Sequence, residues 1–474
     1  MHANLIYFMV RFGNGLLAIA TLAIFSRVLT PEQYGKYALL IATATVLASL
    51  SFQWLSASIG RFYPKYCNES ADVLRVVSRW FWLSTLGLSL LSLIALAFHK
   101  EVGIKPINIA LIYLITVALG RYMIDLQIAN SQHAHIRYCL LSWTKLSVAL
   151  VASVIFIYFG AGEQGALLGF LVGLGFSIWV SGPYQKRLMT TGPVDKILSL
   201  DMRRYGLPLV LNFIAIVLLD FVDRFMIARL LGVSYVGPYS ISYDFIQLTI
   251  GTFLNIFFLS AFPAIVQLFE IKNYKAMNNQ LHELGLRLIS FGLPLTVGLC
   301  ILSGDISSLI FGQEYQHNVG RLLPWLAAAI FIAVLKSYCL DVFFQLHRLT
   351  KFQSYIAIAM VIVNIILNLI LLPRYGLIGA GWATLAAFSL GSVMSWFFVK
   401  ELFYFQNFTD VFCKSSISCL FMGLVLYFVS PADDYIFLTI KIFIAVLTYS
   451  LLALAFNLAD SRRIACRFVG WLAG

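Results

Sequence analysis

The sequence predicts an all-α integral membrane protein of about 14 transmembrane helices, arranged as two parallel six-helix lobes around a central cavity plus a C-terminal helix pair. Composition predicts the class: of 474 residues, 61% are hydrophobic and 11% are charged, whereas soluble domains carry about 25% charged residues. Long apolar segments also follow one another along the whole chain, and a spanning helix requires roughly 20 such residues. Their length disfavours a β-barrel, whose strands alternate over about ten residues.

The apolar segments lie at about 5–25, 37–60, 80–98, 107–129, 139–159, 165–184, 206–228, 237–262, 284–303, 321–345, 353–372, 377–399, 414–430 and 436–457. The first one is long and no A-x-A-like cleavage site follows it, so we expect a retained helix and not a removed signal peptide. The longest loops, near 185–205 and 263–283, are too short to hold a separate catalytic or nucleotide-binding domain.

An internal duplication predicts the two lobes. A loop signature occurs twice, 202 positions apart, as Arg27-Val28-Leu29 with Gly35-Lys36-Tyr37 and as Arg229-Leu230-Leu231 with Gly237-Pro238-Tyr239. Two further echoes relate Leu119, Tyr122 and Asp125 to Leu335, Tyr338 and Asp341, and Gly165-Ala166 to Gly379-Ala380. Coincidence between short apolar motifs is the alternative. Since the repeat contains an even number of helices, its copies are parallel. We therefore expect lobes at 1–200 and 201–400, and two additional helices with a cytoplasmic tail at 401–474.

The charge pattern indicates the orientation. The net charge is +12, and the basic residues concentrate in loops on one side, which predicts that both termini are cytoplasmic. The heaviest cluster consists of Lys186, Arg187, Lys196, Arg203 and Arg204. Nucleic acid is not an expected partner, because no folded basic domain is available to bind it. The seven cysteines predict neither disulfides nor a metal site, and no metal or cofactor is expected.

Glycines at 165, 169 and 173 recur every four residues along one helix face. Small residues at this spacing allow helices to approach closely, so we expect a packing role. A flexing point during alternating access is the alternative.

Four cations within the predicted spans suggest an anion site. Arg11, Arg121 and Lys145 come from the first lobe and Lys336 from the second, all in the inner half or near mid-depth. Charged residues in a membrane usually face the bundle interior. Together these four predict a basic cavity that favours a phosphate or pyrophosphate.

Some of these charges have a structural alternative. Arg121 and Asp125, and likewise Asp220 and Arg224, stand at i,i+4 spacing and could neutralise each other on one helix face. Lys336 has Asp341 five residues later, off the shared face of an α-helix. Lys441 lies near a helix end and is expected to snorkel to water.

Other polar residues have separate predicted roles. Asp220, Asp223 and Asp244 gather near the outer end of two helices and are candidates to bind a coupling ion, a proton or Na⁺. Tyr122 and Tyr338 are candidates to stack on sugar rings, and Asn14 to bond a sugar hydroxyl; lipid-facing or helix-packing roles are the alternatives.

Three loop motifs carry a family resemblance: residues 27–37 (Arg27-Val28-Leu29-Thr30-Pro31-Glu32-Gln33-Tyr34-Gly35-Lys36-Tyr37), 309–315 (Leu309-Ile310-Phe311-Gly312-Gln313-Glu314-Tyr315) and 375–380 (Tyr375-Gly376-Leu377-Ile378-Gly379-Ala380). With them the chain resembles the bacterial polysaccharide (O-antigen type) flippases of the multidrug/oligosaccharidyl-lipid/polysaccharide exporter superfamily. The resemblance implies a MATE-like fold in the cytoplasmic (inner) membrane and a substrate of undecaprenyl-pyrophosphate-linked oligosaccharide, an O-antigen, capsule or exopolysaccharide unit. It also implies that the polysaccharide polymerase machinery is a partner of the protein. It assigns no single intramembrane residue.

The expected function is therefore transport of this lipid-linked glycan by alternating access, coupled to an ion or proton, and no enzymatic activity. A multidrug exporter of the same superfamily is one alternative, disfavoured because cationic drugs prefer an acidic cavity. A membrane glycan polymerase or ligase is another, and no large loop or nucleophile–base arrangement supports it.

Overall fold

The computed structural model describes residues 2–66, 70–132, 134–180, 195–347, 349–400, 408–429, 432 and 434–458. In chain order the helices are α1 (His2–Val28), α2 (Pro31–Phe62), α3 (Ser70–Ala97), α4 (His99–Val102), α5 (Pro106–Ser131), α6 (His135–Phe156), α7 (Gly162–Val180), α8 (Lys196–Leu230), α9 (Val233–Ile246), α10 (Thr252–Glu270), α11 (Tyr274–Ile301), α12 (Ser303–Ile310), α13 (Gln313–Leu335), α14 (Asp341–Leu346), α15 (Thr350–Tyr375), α16 (Leu377–Val399), α17 (Phe408–Tyr427) and α18 (Tyr435–Ala455). Of the three π-helical segments in the described residues, Gln247–Gly251 continues α9 into α10, Lys336–Leu340 continues α13 into α14, and Ile157–Ala161 lies between α6 and α7.

The described part contains twelve helices that are long and apolar enough to cross a membrane. One of these stretches, His135–Val180, holds two of the predicted spans, and α1 contributes a shorter apolar helix from Gly13 to Val28. A helix satisfies its own backbone hydrogen bonds, which lipid cannot do for it. The all-α membrane class is confirmed, and the predicted number of 14 is approximate.

Local sequence explains where the helices begin and turn. At the start of α2, Thr30 and Gln33 form a capping box: the Thr30 hydroxyl accepts from the Gln33 amide at 3.3 Å and the Gln33 side chain accepts from the Thr30 amide at 3.1 Å. Between α6 and α7, Gly160 and Gly162 have φ of 85° and 48°, a left-handed conformation that glycine adopts without strain. This turn separates two helices within one apolar run.

The contacts divide the chain into two units. Unit 1 contains Met1–Ala228 and Gly232–Gly237, and unit 2 contains Arg229–Leu231 and Pro238–Gly474. Most of α8 and the first turn of α9 therefore belong to unit 1. The three-part division expected from the sequence remains a prediction.

Two apolar clusters lie among the described residues of unit 1. One joins α2, α3 and α8 through residues such as Phe52, Val77 and Met202. The other joins α2, α5, α6 and α7 through residues such as Ile115 and Leu167. Burial of these side chains fixes α5, α6 and α7, which carry the first candidate site.

In unit 2, the C-terminal helices dock through a buried ion pair. The Lys441 ammonium of α18 lies 2.6 Å from Asp305 Oδ2 of α12, and Lys441 is only 5% exposed. Asp305 Oδ1 accepts a second bond from the Ala432 amide at 3.2 Å. The expectation that Lys441 snorkels is wrong, because a carboxylate 136 positions away provides its counter-charge inside the protein.

Candidate functional site

Lys145 on α6 is held by aromatic rings. Its ammonium lies 4.7 Å from the centre of the Tyr122 ring and 5.9 Å from that of Phe170, distances at which a cation is attracted to the face of a ring. No carboxylate pairs with Lys145 among the described residues. The Lys145 ammonium is therefore without a counter-charge in the described part of the chain, a position that an incoming anion could fill. No pattern in the sequence indicated Phe170, which lies on α7.

Glycines of α7 allow that helix to lie directly against α6. A Cβ at Gly169 would collide with Ser153, and one at Gly173 would lie 2.5 Å from the Lys145 carbonyl oxygen. Gly165 similarly packs on the backbone of Phe156. The predicted packing role of this glycine row agrees with these contacts. It also positions the turn that carries Lys145.

Arg121 is paired on its own helix. Its Nε donates to Asp125 Oδ2 at 3.1 Å, and the Asp125 side chain is fully buried. The structural alternative for Arg121 is thus the arrangement observed, and the predicted contact of Arg121 with pyrophosphate stays untested. Arg11 belongs to α1, but its side chain lies outside the described residues.

Lys336 is also paired, which corrects an expectation. Its Nζ lies 2.6 Å from Asp341 Oδ2, and both side chains are buried; the Ser395 hydroxyl donates to Asp341 Oδ1 at 3.2 Å. In an α-helix, Asp341 would lie off the face of Lys336, as the sequence predicts. The segment Lys336–Leu340 is π-helical, and i→i+5 geometry brings positions five apart onto one face. The partnership of Ser395 had no signal in the sequence.

The two candidate tyrosines have different surroundings. Tyr122 is 7% exposed and one face of its ring carries Lys145. In unit 2, the Tyr338 ring stacks on Phe258 with centres 4.6 Å apart, and its hydroxyl accepts from Asn255 Nδ2 at 2.7 Å. Their predicted contact with sugars stays untested.

Asn14 of unit 1 has an unsatisfied acceptor. Its Oδ1 atom is buried and has no hydrogen-bond partner in the described part of the chain. A buried amide oxygen without a donor is costly. It is therefore suited to accept from a ligand hydroxyl, and the predicted contact of Asn14 with a sugar stays a prediction.

The three acidic candidates fall in different units. Asp220 is half-buried and Asp223 is 1% exposed, both on the part of α8 that belongs to unit 1, whereas half-buried Asp244 lies in unit 2. The Arg224 guanidinium lies over the Phe221 ring at 4.9 Å. Within the described residues, no group of three or more His, Cys, Asp or Glu could hold a metal ion. The predicted ion site remains a prediction.

The duplicated glycines make reciprocal contacts inside unit 1. A Cβ on Gly35 would collide with the Val233 carbonyl, and a Cβ on Gly237 would collide with the Pro31 carbonyl. Pro31 and Val233 are equivalent at the offset of 202 positions. The signature thus marks a place where the first turns of α2 and α9 touch backbone to backbone.

Unit 2 contains an apolar cavity of about 650 Å³ between α11 and α18. Its lining includes Phe291, Pro294, Leu299, Met422 and Val446, with Ser290 and Ser450 among its few polar residues. Such a lining accommodates hydrocarbon.

Comparisons with known proteins agree with this architecture. The family model described as "Polysaccharide biosynthesis protein" matches residues 3–269, and the MatE family model matches residues 208–370. A Shigella flexneri protein described as a candidate O-antigen transporter is 22% identical over 407 residues, which cover 83% of this chain and 96% of that protein. The lipid II flippase MurJ of Bacillus subtilis (strain 168) is 24% identical over 276 residues, 54% of this chain and 49% of MurJ.

Solved structures show the fold. A lipid II flippase MurJ in an inward closed conformation superposes with a TM-score of 0.73 at 18% identity, covering 96% of this chain and 99% of that one. An inward-facing multidrug resistance MATE family transporter of the MOP superfamily gives 0.65 at 14% identity, covering 84% of this chain and 98% of that one. The MATE-like fold predicted from the sequence is confirmed.

Proposed function

The chain belongs to the family of polysaccharide biosynthesis proteins, and we propose from this membership that it is a flippase for a lipid-linked oligosaccharide. The substrate would be an undecaprenyl-pyrophosphate-linked repeat unit of O-antigen, capsule or exopolysaccharide, moved from the inner to the outer leaflet of the bacterial inner membrane. The similarity to a candidate O-antigen transporter over 96% of its length supports this substrate class. Transport by alternating access, without enzymatic chemistry, is the activity we infer.

The proposal rests on the surroundings of Lys145, which contain no carboxylate among the described residues. Arg121, Lys336 and Lys441 each have a carboxylate partner, whereas Lys145 has only aromatic rings within the described residues. An intramembrane cation is costly and marks a functional site by default. A pyrophosphate would supply the missing negative charge, with charge-assisted hydrogen bonds from the ammonium.

Complementation tests this role. In the host strain lacking this gene, Lys145→Ala should lower surface glycan to about a tenth of wild type or less, as expected for one lost charge-assisted contact. Lys145→Arg should retain most of the activity, because the charge remains. Lys414→Ala, which removes an exposed lysine paired with Asp410 at 2.7 Å, is the matched control. Full glycan export with Lys145→Ala at normal protein levels would refute the role of Lys145.

The remaining parts of the substrate have proposed positions as well. The prenyl chain would stay in apolar surroundings, and the cavity between α11 and α18 offers them. Asn14, Tyr122 and Tyr338 are the candidate sugar contacts. The candidates to bind the coupling ion, H⁺ or Na⁺, are Asp220, Asp223 and Asp244. Both termini would be cytoplasmic. Unchanged ion dependence in the triple Asp→Asn variant would count against that assignment.

The reciprocal glycine contact supports alternating access. The first turn of α9 packs on α2 within unit 1, while the rest of this continuous helix belongs to unit 2. We propose that the contact forms and breaks in each cycle. Gly35→Ala and Gly237→Ala should then reduce transport several-fold without abolishing membrane insertion, whereas Gly15→Ala and Gly87→Ala, where a Cβ meets open space, should not.

Export of drugs is a second candidate function, favoured by the match to the MatE family model over residues 208–370. A cationic dye is the appropriate probe. If it is exported by cells expressing the protein, and Lys145→Ala increases that export, the drug-exporter function holds instead.

A further inference from the structure

Two arginines at one end of unit 1 lie against aromatic rings of neighbouring helices. The end of α2 and the starts of α3 and α8 meet there. The Ser58 hydroxyl donates to the Met202 carbonyl at 3.2 Å, and Trp80 Nε1 donates to the Ser199 hydroxyl at 3.0 Å. These bonds tie α8 to α2 and α3, so the positions of their side chains are mutually fixed.

The rings hold the two guanidinium groups in place. Arg61 of α2 lies 4.4 Å from the centre of the Tyr205 ring of α8, and Arg203 of α8 lies 5.0 Å from that of Trp80 of α3. An arginine at the border of a membrane ordinarily extends freely to water. Here each guanidinium stacks on a ring from another helix, a geometry that leaves its N–H edge available.

Neither arginine has an acidic partner among the residues described. The Nε atom of Arg203 is buried and has no hydrogen-bond partner there. Two nearby carboxylates have other partners. Asp72 pairs with Arg75, and Asp195 accepts hydrogen bonds from the first backbone amides of α8 at 2.8 and 3.3 Å. Asp201 is exposed, as are the further cations Arg79 and Arg204.

We propose that Arg61 and Arg203 form a binding site for a lipid phosphate at the membrane surface. A guanidinium fork on a fixed ring matches the oxygens of a phosphate ester in bidentate fashion, and a juxtamembrane basic cluster attracts anionic head groups. The phosphate belongs either to an anionic phospholipid or to a prenyl pyrophosphate carrier. The site is separate from Lys145 and does not depend on the proposed transport.

Lysine substitutions separate a built site from a general excess of positive charge. The positive-inside rule requires only charge, which Arg61→Lys with Arg203→Lys preserves, whereas the proposed site requires the fork. Lipid binding to the purified full-length protein in detergent is measured by native mass spectrometry with phosphatidylglycerol, phosphatidylcholine or undecaprenyl pyrophosphate added.

Wild type should bind at least one anionic lipid in preference to phosphatidylcholine, and the double lysine variant should bind it about tenfold more weakly. Whichever anionic lipid shows this sensitivity identifies the source of the phosphate. Trp80→Leu, which keeps Arg203 but removes its ring, should weaken binding as well. Arg287→Lys, whose arginine already pairs with Glu283 at 3.1 Å, is the control. Equal binding by wild type and the double lysine variant would overturn the proposal.

Discussion

The helix α5 of unit 1 and the α13–α14 pair of unit 2 carry the same Leu-x-x-Tyr-x-x-Asp spacing, yet they form their ion pairs differently. In α5, Arg121 reaches Asp125 across a regular α-helical turn. At the offset of 216 positions, Arg121 corresponds to Ser337, so the cation of unit 2, Lys336, stands one residue earlier. The π-helical segment Lys336–Leu340 compensates for this shift and brings Lys336 to Asp341.

Packing explains why unit 1 does not use the earlier position. Gly120 is the counterpart of Lys336, and a Cβ there would collide with the Phe52 ring of α2. A side chain is therefore excluded from that position in unit 1 but not in unit 2. A duplicated carboxylate can therefore keep a cationic partner when the local helical geometry changes with the position of the cation.

Breaking the pair in unit 2 should give the largest effect. Asp341→Asn leaves Lys336 buried without a counter-charge, and we expect the free energy of unfolding to fall by about 3–5 kcal/mol. Asp125→Asn should cost about 1–2 kcal/mol, because the Arg121 side chain is 18% exposed and retains some hydration. Unfolding in mixed detergent micelles measures both. The double variant Lys336→Met with Asp341→Leu should recover much of the loss, and failure to recover would show that the charge pair is not the cause.

Moving the lysine by one position should give unit 2 the i,i+4 pairing that unit 1 has. Exchange of Lys336 and Ser337 places the cation four residues before Asp341, where an α-helix pairs it. The exchanged protein should be about 2 kcal/mol more stable than Lys336→Ser alone. If the two variants unfold at the same detergent fraction, the π-helical segment has a cause other than this pair.

Glycine substitutions should give the smallest effects and compare the helix pairs α6–α7 and α15–α16. Gly173→Ala places a methyl group against the Lys145 carbonyl. It should lower the free energy of unfolding by about 2 kcal/mol, because the backbone there cannot move away. Gly391→Ala meets the flexible end of Met360 and should cost less than about 1 kcal/mol. Gly175→Ala, with nothing within 4 Å, is the control. Melting temperatures in detergent rank the three, and an equal loss at Gly173 and Gly175 would contradict the packing argument.

The fold class could be predicted from the sequence because composition and the length of the apolar segments strongly constrain the structure of a membrane chain. It also indicated the tight contact of α7 with α6 from the spacing of Gly165, Gly169 and Gly173. The partners of buried charges were harder to predict. Lys441 pairs with Asp305 across 136 positions, and the Lys336–Asp341 pair depends on a local π-helix that hydrophobic periodicity does not reveal.

The anchoring of α18 has a practical consequence. Besides the Lys441–Asp305 pair, the Tyr435 hydroxyl donates to the Leu309 carbonyl at 2.8 Å, and that of Tyr449 donates to the Ser290 carbonyl at 2.7 Å. These bonds connect α18 to the middle of α11 and to the end of α12, so α18 must move with these two helices as one body. A fluorophore attached near the start of α18, before the residues that line the apolar cavity, would therefore report the movement of unit 2 during a transport cycle without altering any candidate substrate contact.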